Sequence, residues 1–371
     1  MNTIEHGSPA LAEADRLMTV CNSCRYCEGL CAVFPAMEAR RAFADADLDY
    51  LANLCHACGA CHADCQYAPP HEFNVNVPRV LADVREESYA RYVWPKAFAP
   101  LFARNGLAVA LALALSVAAF IAGFVAIGDP QALWAAGSEP GAFYRVMPHN
   151  TMAGLFGLAG AYSLAALTFS LFKFWRETGA ASAGAFDWPS LWQATKDAAR
   201  LRYLDGGGAG CTVDTTGTPD RRRIAHHATF YGFLLCAAAT AVATVYHFIL
   251  GREAPYPWWD IPVVLGTFGG IGLIIGPIGL LHMRQSRSPL LTGTRQTGMD
   301  TGFLAMLVLV AASGLALLVL RATPAMGLLL AFHLGTVFSL FVTMPYGKFV
   351  HGLYRFMSLV RYSHEMRLMR S

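Results

Sequence analysis

Six apolar stretches, at about 106–127, 152–172, 228–250, 261–281, 301–320 and 327–344, follow a first hundred residues that carry no long apolar run. Each stretch is near the roughly 17–25 residues that a helix needs to cross a hydrocarbon core of about 30 Å. None of the six contains Asp, Glu, Lys or Arg. The pattern predicts an all-α chain with an N-terminal helical head over 1–100 and a six-transmembrane-helix bundle over 101–371, interrupted by a long loop at 173–227. Within that loop Asp187-Trp188-Pro189 reads as a helix start. The helix is expected to run to about Leu204, with Leu191, Trp192, Thr195, Ala198 and Ala199 on one face, before Asp205-Gly206-Gly207-Gly208-Ala209-Gly210-Cys211 breaks it. It reads as an interfacial helix with a flexible exit; the functional alternative is a docking surface.

Composition agrees with the pattern. Of 371 residues, 55% are hydrophobic and only 14% charged, well below the roughly 25% of soluble domains. The net charge of +3 is scattered around the apolar runs, so no nucleic-acid partner is expected. With the head placed inside, segments 173–227, 282–300 and 345–371 carry eight, three and five Lys/Arg, against Arg145, Arg252 and Arg321 on the other side. That asymmetry predicts a multi-pass protein of the cytoplasmic membrane with both termini cytoplasmic. Glu5, Glu13 and Asp15 occupy a start that lacks the apolar core of a secretory signal.

In a reducing compartment a dense cysteine cluster binds metal rather than forming disulfides. Cys21, Cys24, Cys27 and Cys31 form C-x2-C-x2-C-x3-C, and Cys55, Cys58, Cys61 and Cys65 repeat it. Two such quartets predict two [4Fe–4S] clusters. In two-cluster ferredoxins the fourth ligand crosses over. One cluster is therefore assigned to Cys21, Cys24, Cys27 and Cys65, and the other to Cys55, Cys58, Cys61 and Cys31. Zinc more often takes two Cys pairs than two quartets. Proline does not directly follow the fourth cysteine of either motif; Pro35 and Pro69 come four residues later. The glycine-free spacer, Ala36 to Arg41 and Asp45 to Leu54, is helical in character and predicts an α-helical ferredoxin-like head, resembling the iron–sulfur domains of succinate dehydrogenase and heterodisulfide reductase. His56, His62 and His71 are read as supporting residues, and the isolated Cys211 and Cys236 as non-ligands.

Histidines mark the edges of the apolar stretches. His226 and His227 precede the third and His247 lies near its outer end. His333 lies in the sixth, with His351 beyond it, His282 after the fourth and His149 before the second. Imidazole ligates b-type haem, and an ionisable group at depth is costly and usually functional. Depth matching pairs His247 with His333 for an outer haem, and His227 or His226 with His351 for an inner one. His282 and His149 are further candidate ligands. One helix bearing both His333 and His351 is similar to the γ subunit of respiratory nitrate reductase. One or two haems are expected. The fourth stretch carries G-x-x-x-G at 266–270 and 272–276, read as close helix packing.

The whole chain resembles the tricarballylate-utilization (citrate-utilization) protein B family. The resemblance rests on the paired quartets, Arg202-Tyr203-Leu204 and the glycine run, Arg221-Arg222-Arg223 with His226-His227, Phe230-Tyr231-Gly232-Phe233 to Tyr246-His247, and Met344-Pro345-Tyr346-Gly347-Lys348-Phe349-Val350-His351. Asp205 departs from an unbroken glycine run. The resemblance implies electron transfer from the reduced flavin of a partner dehydrogenase, tricarballylate dehydrogenase, through [4Fe–4S] clusters and haem to quinone. A related arrangement serves a precorrin-modifying oxygenase in cobalamin synthesis, which is the alternative reading. An ion-coupled transporter ranks below both, because its coupling sites call for carboxylates that the six stretches lack. No well-placed G-x-G-x-x-G follows a strand, so no flavin or nicotinamide site is expected on this chain. The chain reads as an oxidoreductase-type electron-transfer subunit without a dehydrogenase active site of its own.

Overall fold

The computed structural model describes residues 5–127, 130–134, 136–180, 184–204, 220–285, 288–291 and 294–370. Asp205, the glycine run and Cys211 lie outside them. Among the described residues there is no strand, so the all-α expectation holds.

The head begins with α1 (Pro9–Cys24), whose N-terminal amides are capped by Ser8 and whose first position is proline. Then come α2 (Val33–Glu38), α3 (Asp45–Leu54), the single turn α4 (Ala60–Ala63) and α5 (Val77–Tyr92). Leu11, Leu17, Met18, Phe34, Met37, Leu48 and Leu81 close a core between them. Residues from far along the chain complete that core: Trp175, Ala194, Leu359 and Val360 belong to it.

The remaining helices are α6 (Asn105–Ile127), α7 (Ala142–Val146), α8 (His149–Glu177), α9 (Trp188–Ala199), α10 (Asp220–Phe248), α11 (Ile261–Gln285), α12 (Thr294–Leu320), α13 (Met326–Thr343) and α14 (Val350–Leu368). Six of them, α6, α8 and α10 to α13, supply the segments long and apolar enough to cross a membrane. Their outward faces are apolar: on α6, Leu107, Leu111 and Leu115 are exposed at four-residue spacing. An apolar stripe that is not covered by protein suits lipid.

In the bundle α10 packs on α11, α11 on α12, α12 on α6 and α13, and α13 on α6 and α8. The glycines of α11 set the first of these contacts. A Cβ on Gly269 would lie 2.8 Å from the Gly232 carbonyl oxygen, and one on Gly276 2.7 Å from that of Ala225. Cys236 also faces Gly269. The small residues therefore serve backbone approach.

Successive connections alternate between the two ends of the bundle. At one end Gly141 N donates to Ala254 O at 2.8 Å, Gly137 N to Arg321 O at 3.1 Å, and Arg321 Nη1 to Tyr256 O at 2.6 Å. The head caps the other end, where Asn76 Nδ2 donates to Leu290 O at 2.8 Å and Trp94 N to Ser170 Oγ at 2.9 Å.

One local expectation changes. Helix α9 starts as expected, with Asp187 accepting from Ser190 N at 3.0 Å, but ends at Ala199. Leu201 takes a left-handed conformation with φ 49° there, and Arg202 N turns back to Asp197 O. Its inward face is Ser190, Ala194 and Asp197, flanked by Leu191 and Ala198, whereas Trp188 and Trp192 point outward. Outward indoles suit a membrane interface. The C-terminal segment, to which the sequence assigned no element, forms helix α14, packed on α9 and α3.

Candidate functional site

The first two cysteines share a face of α1, because Cys21 and Cys24 stand three residues apart in its last turns. Arg25 then adopts a left-handed conformation with φ 55° and ends the helix, so that Cys27 and Cys31 follow in turns. The second motif bends at Ala57 and Gly59, with φ of 47° and 91°, before Cys61 enters α4. The first three cysteines of each motif thus line one cavity.

One cavity, of about 440 Å³ with its open mouth, is lined by Cys21, Cys24, Cys27, Cys65 and Cys61. The other, of about 380 Å³, is lined by Cys31, Cys55, Cys58 and Cys61. Phe34, Cys61 and Val77 line both, so the cavities share an apolar wall. Burial and then the neighbouring Cys27, Cys65 and Cys24 push the Cys21 thiol up to about 12. Burial raises Cys31, with Cys58 and Cys55 as its next strongest neighbours. The electrostatic neighbours therefore divide as the cavities do. Among the described residues no three His, Cys, Asp or Glu groups gather tightly enough to hold a single ion. Four thiols around a cavity suit a cubane, whose ligands surround a core rather than a point.

The second cavity faces the bundle. Arg85 on α5 donates through Nη1 to the Cys55 carbonyl at 2.7 Å, and Arg355 on α14 through Nη2 to the same oxygen at 2.9 Å. Arg222 on α10 donates through Nη2 to the His56 carbonyl at 3.2 Å. His56 is buried, with Nδ1 2.9 Å from Leu54 O. Burial, then the charge of Arg355, holds its imidazole well below 6.5. His71 accepts from Phe73 N at 3.1 Å, and His62 Nδ1 is buried without a partner.

The candidate haem histidines fall into distinct settings. His149, at the start of α8, and His247, in the last turn of α10, stack with centroids 3.4 Å apart; Tyr144 stands edge-on to both. Both Nδ1 atoms are buried without a partner, and the rings in face-to-face contact leave no space for a haem between them as they stand. Helices α8 and α10 share no extended packing, so they meet through these rings. His333 instead has Nδ1 2.9 Å from Ser313 Oγ, with Gly314 leaving room for its ring.

Near the head, His351 Nδ1 donates to Lys348 O at 2.5 Å, leaving Nε2 as the acceptor nitrogen, the arrangement common to ligating histidines. Burial, then the charges of Lys348 and Arg355, lowers its pKa well below 6.5. His226 lies within electrostatic reach of His351, amid Arg222, Arg355 and Lys348. His227 turns away, with Nε2 3.2 Å from Ala199 O. His282 is exposed in the last turn of α11. The sequence reading met Arg222 only within a family motif and did not single out Arg85 or Arg355, because nothing local in the sequence ties the three to Cys55 and His56.

Comparison with known proteins bears on the same two regions. The profile of the Citrate utilization protein B Fer4-like domain matches residues 14–91, and that of Citrate utilization protein B matches residues 101–371. Citrate utilization protein B of Escherichia coli is 49% identical over 358 residues, 96% of this chain and 93% of that protein. No solved structure matches.

Proposed function

The chain belongs to the citrate utilization protein B family, and from that premise we propose that it carries electrons from the reduced flavin of a partner dehydrogenase, tricarballylate dehydrogenase, to the quinone pool of the cytoplasmic membrane. A Fer4-like head and six apolar helices support iron–sulfur binding and a multi-pass membrane location. The observation that carries the reading is the division of eight thiols around two adjoining cavities, one of them against the bundle. When bound, two [4Fe–4S] clusters and one or two b-type haems supply single-electron transfer.

Cys21, Cys24, Cys27 and Cys65 would hold one cluster, and Cys31, Cys55, Cys58 and Cys61 the other. Phe34 and Val77 exclude water from the wall between them. His149, His247 and His333 are the candidate ligands for a haem at the far end. His226 and His351 are the pair nearest the head. The proposed orientation puts the head and both termini in the cytoplasm.

The test is anaerobic purification of the full chain in detergent. About eight irons beyond haem, with matching sulfide, are expected. Partner flavoprotein and tricarballylate should then reduce the haem, and a quinone analogue should reoxidise it. Stoichiometric zinc without cluster signals, or haem that stays oxidised, overturns the proposal.

A further inference from the structure

Three guanidinium groups reach the same short stretch of backbone from three elements. Arg85 comes from the head, Arg222 from a membrane helix and Arg355 from the C-terminal helix; together they satisfy the carbonyls of Cys55 and His56. Arg85 is buried and Arg355 half-buried, and Arg355 Nε is buried without a partner. Lys348 adds a fourth cation nearby. The acids facing this group are few. Asp300 is engaged by Lys348 and Arg284. Burial pushes the Glu86 carboxyl up to about 7, toward its neutral form. Buried cations in excess are costly without a counter-charge.

The first cavity lacks such a setting. Arg25 is exposed and donates to Asn22 O at 3.1 Å, while the amide of Gln66 stands 3.9 Å from Cys24 Sγ. Tyr26 on its rim is 71% exposed, so water screens charge there.

A cubane held by four thiolates is anionic and gains one negative charge on reduction. Fixed positive charge in a dry environment stabilises the reduced form, and cluster potential follows net charge, hydrogen bonding and exposure. We infer that Arg85, Arg222 and Arg355 raise the potential of the cluster held by Cys31, Cys55, Cys58 and Cys61 above that of the cluster held by Cys21, Cys24, Cys27 and Cys65. This rests on the two-cluster reading above. The arginines thereby direct electrons from the solvent-facing cavity toward the bundle. One electron moves per step; no bond breaks and no proton is needed, because the compensating charge is permanent.

The experiment is an EPR-monitored redox titration of the full chain and of Arg85→Gln, Arg222→Gln, Arg355→Gln and Arg355→Lys. Each glutamine should lower the more positive cluster midpoint by a tenfold change in equilibrium constant, about 59 mV for one electron. The other midpoint should hold, and Arg355→Lys should recover most of the shift. Movement of the more negative midpoint, equal movement of both, or no movement in variants with full iron overturns the inference. Where one glutamine variant loses iron, the other two positions decide. Absence of two cluster signals in the unaltered protein instead refutes the two-cluster reading.

Discussion

The imidazoles of His149 and His247 lie face to face, with ring planes 17° from parallel, although their helices start and end far apart in the chain. Each has a buried Nδ1 lacking a partner, and if the proposed far-end haem sits here at least one of the two rings has to turn to admit it. Alanine at either position is expected to remove the same b-type component from reduced-minus-oxidised spectra of membranes. The double variant should lose no more than either single one. Full haem signal in both variants, at normal protein level, sinks the pair.

Glu365 ties the C-terminal helix to the head. It accepts from Arg40 Nη2 at 2.6 Å, Arg361 Nε at 2.8 Å and Tyr50 Oη at 3.1 Å. Both guanidinium groups also stand over the Tyr50 ring, at 4.8 and 4.2 Å. Glu365→Gln removes the charge that both arginines share and leaves them nearly buried. The expected cost is about 3 kcal/mol, read as a lower unfolding midpoint and faster proteolysis near residue 370. An unchanged midpoint would show that Asp47, which lies 2.7 Å from Arg40 Nε and 3.3 Å from Arg361 Nη2, alone suffices.

The glycines make contrasting predictions. A Cβ on Gly276 would lie 2.5 Å from Thr229 Oγ1 and 2.6 Å from its amide nitrogen, both on the facing helix. Gly154 on α8 has nothing within 4 Å. Gly276→Ala should destabilise by about 1–3 kcal/mol through overpacking. Gly154→Ala should be neutral or stabilising by up to about 1 kcal/mol. Detergent thermal unfolding of the two variants separates them; equal behaviour would contradict the α10–α11 packing.

The six membrane-length helices were legible because a bilayer demands long runs without charge, a one-dimensional constraint. The cysteine quartets were equally plain, since ligand spacing is local. Partnership between histidines was not, because it depends on which helices are neighbours. His247 meets His149 through their rings, while His333 turns to Ser313. The roles of Arg85, Arg222 and Arg355 were hidden for the same reason. Their spacing carries no pattern, and only the folded chain brings them to the carbonyls of Cys55 and His56.

His6 predicts a pH dependence. Its Nδ1 bonds Asp45 at 2.6 Å, and its Nε2 lies 3.3 Å from Asp15, joining the starts of α1 and α3. Burial lowers its pKa, but the bonds to Asp45 and Asp15 outweigh that and leave it above 6.5. A raised histidine pKa contributes stability that is complete below the unfolded value, near 6.5, and lost as pH rises through the folded value. Solvent screening keeps the contribution under about 1 kcal/mol. The unfolding midpoint of the unaltered protein should therefore drop more between pH 6 and pH 8.5 than that of His6→Gln. Parallel curves would show that His6 is not charged in this pair.

The crossed division of the thiols can be tested by counting iron in double variants. Cys31 lines the cavity of Cys55, Cys58 and Cys61, although it follows Cys27 in the chain; Cys65 lines the cavity of Cys21, Cys24 and Cys27. If Cys31 and Cys55 serve one cluster, Cys31→Ser with Cys55→Ser damages one site twice. About four irons beyond haem should then remain, one intact cubane. Cys31→Ser with Cys21→Ser damages both sites, and cluster iron should fall close to zero. An uncrossed arrangement reverses the two results, with the Cys31–Cys21 double keeping one cluster and the Cys31–Cys55 double losing both. Single serine variants serve as controls, each retaining one cluster. Because the comparison is between doubles that share Cys31→Ser, any general loss of stability from that change cancels, and only the assignment of the second cysteine decides the outcome.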